Sequence, residues 1–183
     1  MTVQHEASTA VPADLRIRSF PEEIRTLVEA AGFTAADCLF CVRADLDADG
    51  RDAQIWLVVS PTRLATFSVG AASDLLAEPI AIADIQKIRC SQTVGSAFLQ
   101  VMVDGTYVSL VRYTNTKREL FGRVCSAIKQ RVEGKEVKLE ALTQPSERYC
   151  GHCGLPLPGR GADCPRCKQH GGLFSRTLGL MKP

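Results

Sequence analysis

Apolar positions in the first part of the chain recur at helical spacing, and the period then changes. Ile24, Leu27, Val28 and Ala31 share one face of a short helix. Ser19-Phe20-Pro21-Glu22 supplies its entry, with Ser19 as cap, Pro21 in the first turn and Glu22 closing a capping box. Gly32 is the expected stop. A helix of about three turns is not stable alone, so it must dock on a larger element. From Asp37 onward the pattern is that of strands, rich in β-branched and aromatic residues and bounded by turn residues. It predicts strands at 38–45, 53–60, 63–69, 79–82, 85–93, 97–103 and 106–112. Ser60-Pro61-Thr62 separates the second from the third, and Asp104-Gly105 marks a tight hairpin between the last two. Thr116-Lys117-Arg118-Glu119 offers another capping box. Behind it Leu120, Val124, Ile128 and Val132 form an apolar stripe, with Phe121 and Cys125 beside it and Gly134 as the stop.

Seven strands and a long helix predict a mainly β domain with helices (α+β): an antiparallel sheet system closed or capped by a C-terminal helix. Residues 1–18 are expected to be a flexible start, and 19–134 to hold the first helix and the sheet domain. Residues 135–148, "KEVKLEALTQPSER", contain no aromatic and end in a Pro-Ser turn, which predicts a linker. A cysteine module at 149–168 and an amphipathic tail at 169–183 complete the chain.

Composition narrows the function classes. The 183 residues are 45% hydrophobic and 23% charged, enough for one medium core and a small appendage. A formal net charge of +2 advertises neither nucleic acid nor an anionic membrane as partner. No apolar run approaches the roughly 18–20 residues that span a bilayer. The start, "MTVQHEASTAVPADLRIRSF", lacks a basic stretch followed by an apolar one, so it does not read as a signal peptide. The expected location is cytoplasmic, where thiols stay reduced and paired cysteines serve metal or redox chemistry.

Four of the eight cysteines fall within "YCGHCGLPLPGRGADCPRC". Cys150 and Cys153 form one Cys-x-x-Cys pair, Cys164 and Cys167 the other. Two intervening residues let both sulfurs of a tight turn face one ion, and Gly151 and Gly154 supply the necessary backbone freedom. The connecting "GLPLPGRGAD" is short and turn-rich, so it can bring the second pair to the same tetrahedron. This predicts a zinc ribbon holding one structural Zn²⁺ through Cys150, Cys153, Cys164 and Cys167. Four thiolates leave no open coordination position for catalysis, and a module of about twenty residues depends on its metal for its fold. His152 and His170 are redundant as ligands and read as exposed polar residues. Residues 146–183 carry six bases and two acids, but four thiolates around one Zn²⁺ add −2. Without interleaved aromatics, nucleic acid is not an expected partner.

Other candidate chemistry fails on inspection. Asp45, Asp47, Asp49 and Gly50 imitate the first half of a calcium loop, but the position of the bidentate Glu is Trp56. A solvated turn between two strands is the expectation. Cys38 and Cys41 repeat the Cys-x-x-Cys spacing on a predicted strand, where an offset of three would send the sulfurs to opposite faces. Cys90 and Cys125 read as isolated core residues. The three histidines lie at the two ends of the chain, so no Ser/His/Asp or Cys/His constellation assembles, and no enzyme active site is expected.

The stretches "ADLDADGRDAQIWLVVSPTRLATFSV", "EPIAIADIQKIRC", "AFLQVMVDGTYVSLVRYTN" and "KRELFGRVCSAIKQRVEG", followed by the cysteine module and "LFSRTLGLMKP", together resemble the N-terminal cytoplasmic region of some bacterial ABC exporters. The resemblance covers roughly residues 20–183. It implies a pleckstrin-homology-like (GRAM-type) seven-stranded antiparallel sheet or barrel capped by a C-terminal helix. A zinc ribbon then joins that domain to the transmembrane unit, and the tail forms an elbow at the cytoplasmic face of the inner membrane. The implied role is non-catalytic regulation or scaffolding, with ATP binding and transport confined to parts of the parent outside these residues. The implied partners are the rest of the transporter or another protein, and, weakly, an anionic membrane surface through the tail. Inositol lipid is not expected, because the first loop, "DLDADGRD", holds Arg51 as its only base among several aspartates. The alternative is a free-standing cytosolic adaptor that uses the ribbon to bind protein or nucleic acid.

Overall fold

The computed structural model describes residues 14–70, 78–144, 150, 155–159 and 162–167. The tail at 169–183 and Cys153 lie outside the described residues. The chain divides into two compact units, 1–144 and 145–183.

The first unit is an open antiparallel sheet of eight strands with a few helices, an α+β arrangement. Its strands are β1 (Leu15–Ile17), β2 (Phe40–Leu46), β3 (Asp52–Val59), β4 (Arg63–Val69), β5 (Ile80–Ala81), β6 (Lys87–Gln92), β7 (Ser96–Val103) and β8 (Thr106–Thr114). The order across the sheet is β5-β4-β3-β2-β8-β7-β6, with β1 added to β2. Two meanders therefore meet at β2 and β8, through the pair Leu46–Arg112. β3 takes one edge of β2. On the other edge β1 pairs with residues 40–42, and β8 joins at the far end. β2 shifts register against β3 between Ala44 and Leu46, an irregularity that bends a strand where it changes partner. Asp104 and Gly105 have φ of 49° and 76°, the left-handed pair that a two-residue hairpin between twisted strands requires.

Two apolar clusters hold this unit together. On one face, Phe40, Val42 and Ala44 of β2, Ile55, Leu57 and Val59 of β3, and Leu64 of β4 meet Leu99 and Val101 of β7 and Tyr113 of β8. α2 (Arg118–Val132) closes this cluster with Leu120, Phe121, Val124, Ala127 and Ile128. On the opposite face, Cys41, Trp56, Val58, Ala65 and Phe67 pack against Phe20, Ile24, Val28 and Phe33 from the N-terminal helical segment. β3 and β4 are thus covered on both faces, which is why "IWLVV" is continuously apolar instead of alternating.

Both helices end as their sequences predict. α1 (Arg25–Ala30) stops at Gly32, φ 78°, where Phe33 N–H bonds Val28 O at 3.0 Å and Gly32 N–H bonds Glu29 O at 2.9 Å. α2 repeats the motif at Gly134, with Lys135 N–H on Gln130 O and Gly134 N–H on Arg131 O. These are Schellman pairs, which satisfy the last carbonyls and need a left-handed residue. The helix starts differ from expectation. Neither capping box forms: 3₁₀ turns at Glu22–Ile24 and Asn115–Lys117 precede the helices, and no side chain caps them. Glu22 pairs with Arg25 at 2.8 Å, and the hydroxyls of Thr116 and Thr114 bond each other at 2.7 Å.

Two expected boundaries also move. Residues 14–18, expected as part of a flexible start, include β1, whose Leu15 is fully buried and whose register is fixed by Leu15–Val42 and Ile17–Phe40. Just before it, the Asp14 carboxylate meets Arg43 Nη2 at 2.6 Å and Lys117 Nζ at 2.9 Å. The expected linker at 135–148 is docked over its first part. A 3₁₀ turn at Leu139–Leu142 buries Leu142 completely, with Val137 and Leu139 packed beside it on the main core. The first unit accordingly runs to Gln144.

Candidate metal centre

The second unit contains a cluster of sulfurs. Cys150, Cys164 and Cys167 place their Sγ atoms within 4.8 Å of one another, and Cys150 and Cys167 are 3.7 Å apart. Local backbone bonds set this up. Cys150 N–H bonds Leu155 O at 2.8 Å, which holds residue 155 against the first cysteine. Ala162 N–H bonds Gly159 O at 3.2 Å, folding the connecting stretch. A helical turn at 165–167 then brings Cys167 back toward Cys164. Cys164 is 8% exposed while Leu155 is 39% exposed.

The spacing decides between chemistries. A disulfide needs sulfurs about 2.05 Å apart, and these cysteines are not joined. Four sulfurs about 2.3 Å from one tetrahedral ion would lie about 3.8 Å from each other, close to the 3.7 Å of the Cys150–Cys167 pair. Thiolates this close repel by about 4 kcal/mol per pair at an effective dielectric of 20. Deprotonated, such a cluster therefore needs a cation at its centre. Three of the four predicted ligands converge. Cys153, the fourth, lies outside the described residues.

The other four cysteines sit in or against the apolar clusters, but Cys38 and Cys41 do not point to opposite faces as their spacing on a strand predicts. Cys38 precedes β2 in a turn, where Cys38 N–H bonds Ala35 O. It therefore escapes the strand alternation that would have separated it from Cys41. The two buried sulfurs are 3.6 Å apart, both directed at the carbonyl of Ser19. Their mutual hydrogen bond lowers the pKa of Cys38, against its burial. The same bond, with burial, raises that of Cys41. Cys90 and Cys125 pack against the main core as read, and the Cys90 thiol also donates to the carbonyl of Phe121 in α2 at 3.6 Å.

The acidic turn joins β2 to β3 as expected, and its carboxylates diverge. Asp45 accepts from Thr114 N–H at 2.9 Å and from Thr114 Oγ1 at 2.6 Å. Asp47 accepts from the Arg51 N–H at 2.8 Å, and Asp49 pairs with the Arg51 guanidinium at 3.1 Å. Trp56, in the twelfth loop position, is buried in β3.

No family model matches the chain, and no curated protein matches it either. Among the described residues, no helix is long and apolar enough to cross a membrane.

Proposed function

We propose that this chain is a non-catalytic regulatory or scaffolding region that stands before the membrane unit of an ABC-type exporter, with a structural zinc site joining its sheet domain to that unit. The observation that carries the reading is the convergence of Cys150, Cys164 and Cys167 at a separation suited to tetrahedral thiolate coordination. Zinc suits an all-thiolate set and prefers four tetrahedral ligands. Cys153 would complete the four. Bound there, zinc supplies a closed structural cross-link. The chain's own contribution is the pair of turns that aim the thiols inward and the burial of Cys164.

The order of the sheet supports a pleckstrin-homology-like reading of the first unit. One meander of four strands, β2–β5, meets another of three, β6–β8, and a C-terminal helix covers the shared core. The pairing of Arg51, the only base of the first loop, with Asp49 supports a protein-contact role for that loop over an inositol-lipid site. The tail at 169–183 would be the elbow onto an anionic inner-membrane surface, on the cytoplasmic side.

The coding sequence downstream of Pro183 tests the exporter reading. An apolar span of about 20 residues soon after it, with nucleotide-binding motifs further on, is the expected result. A stop codon directly after Pro183 would refute the exporter reading and favour a free-standing adaptor.

A further inference from the structure

We propose that Cys38 and Cys41 are a redox-active dithiol that exchanges with small-molecule disulfides, closes to a Cys38–Cys41 disulfide and thereby frees the N-terminal segment that covers it. Their sulfurs are 3.6 Å apart. The turn ahead of β2 brings them together: Cys38 N–H bonds Ala35 O, and the strand begins only at Phe40. A disulfide needs about 2.05 Å between sulfurs, so closing the bond asks the pair to approach by about 1.5 Å. Both sulfurs also point at Ser19 O, from 3.9 Å for Cys38 and 3.5 Å for Cys41. Two thiol protons thus serve three contacts, so at least one is left for the carbonyl. The cluster around the thiols is hydrocarbon apart from the Trp56 N–H, itself a donor, so its side chains offer no competing acceptor.

Ser19 stands at the head of a cover. Behind it Phe20, Ile24, Val28 and Phe33 pack over the face of the sheet that carries Cys41. Closed, the cover leaves Cys38 2% and Cys41 0% exposed, and buried thiols are inert. The cover is short, however. α1 has six residues, and no side chain caps it or the 3₁₀ turn ahead of it. A helix of that length stands only by its packing, so the segment opens locally without the sheet unfolding. Opening admits the oxidant. Oxidation then removes both S–H groups, which are the side-chain donors to Ser19 O among the described residues. With those ties gone, the cover opens more often.

The chemistry balances. Cys38, in the turn outside the ladder, is the attacking thiol; the hydrogen bond from Cys41 holds its pKa below the ordinary 9.0 against its burial. As thiolate it attacks one sulfur of glutathione disulfide, forms a mixed disulfide and expels one glutathione thiolate. The Cys41 sulfur then attacks the Cys38 sulfur and expels the second glutathione. The two protein thiol protons end on the two glutathiones. The protein dithiol is oxidised and the small disulfide reduced.

The test incubates the full chain with glutathione disulfide under native conditions, quenches with acid, alkylates the remaining thiols and digests without reduction. Trypsin cuts after Arg25 and Arg43 and nowhere between, so both cysteines fall on the peptide 26–43. That peptide should be lighter by two hydrogens and carry no alkyl group. In a Cys41→Ser variant the reaction should stop with glutathione on Cys38. Amide exchange over residues 19–33 should be about fivefold faster in the oxidised protein, the weight of one net hydrogen bond. Four results would each overturn the proposal: a peptide alkylated at both cysteines, separate mixed disulfides on the two, a disulfide that forms only where denaturant has unfolded the sheet, or amide exchange over 19–33 that oxidation leaves unchanged.

Discussion

Leu142→Ala probes the part of the fold that the sequence most misrepresents. Leu142 is fully buried in the 3₁₀ turn at Leu139–Leu142, against the same core that α2 closes. If residues 135–144 were a solvated linker, truncating this side chain would cost almost nothing. Docked as they are, the substitution removes apolar surface from water-free contact and leaves a cavity, for about 3 kcal/mol. With a urea slope of about 2 kcal/mol/M, the unfolding midpoint should fall by about 1.5 M. Trp56 is the only tryptophan and is 2% exposed in the cluster on the opposite face of the sheet, so its fluorescence reports loss of the whole unit and not local fraying. Val94→Ser is the control, since Val94 is fully exposed in the turn before β7 and should shift the midpoint little. A Leu142→Ala midpoint within about 0.3 M of the wild type, on the same slope scale, would refute the docking of this segment.

Asp14→Asn should destabilise the first unit by about 1–2 kcal/mol at neutral pH, because the carboxylate joins Arg43 and Lys117 where β1 begins. Burial alone would raise the Asp14 pKa, but Lys117 and then Arg43 overcome it and hold it below the ordinary 3.8. Its stabilisation is therefore fully present above 3.8 and is lost as the pH falls through the lowered value, so urea midpoints of wild type and variant should converge in acid. A gap that persists or widens in acid would contradict the ion cluster. Gly50→Ala should cost more than about 1 kcal/mol, since Gly50 has φ of 89° and a Cβ there would lie 2.6 Å from Arg112 Nη1. Gly95→Ala shares the strained φ, at 80°, but meets nothing within 4 Å, so it should cost less in the same urea titration. Equal costs would show that Arg112 simply moves aside.

The strands from β2 to β8 were legible to within a few residues because alternation and turn chemistry agree along them. "LRI" at 15–17 was not, since three residues carry no period and pairing to a distant strand is what orders them. The helix stops were readable because Gly32 and Gly134 do a local job at a single position. The starts were not, because 3₁₀ turns displaced the first helical residue away from both capping boxes. Leu139 and Leu142 lay in a stretch judged by its lack of aromatics, and their burial depends on a core built elsewhere. Cys-x-x-Cys spacing exposed the candidate metal site because its cysteines are close in sequence. Strand alternation misled at Cys38 and Cys41, because the strand begins only at Phe40. Nothing local could have placed Cys90 against Phe121, a contact made only when α2 packs on β6.

Metal content tests the central claim most directly. The full chain, purified under reducing conditions without chelator, should carry about one zinc per chain by elemental analysis. Cys150→Ser and Cys167→Ser should each lower that content, and Cys153→Ser should lower it as much if it supplies the fourth ligand. A strong chelator should expose Cys150, Cys164 and Cys167 to alkylation while Trp56 fluorescence stays unchanged, since the sulfurs and the sheet belong to separate compact units. A protein free of zinc and every other metal, with those three cysteines alkylated readily in the native state, would contradict the account.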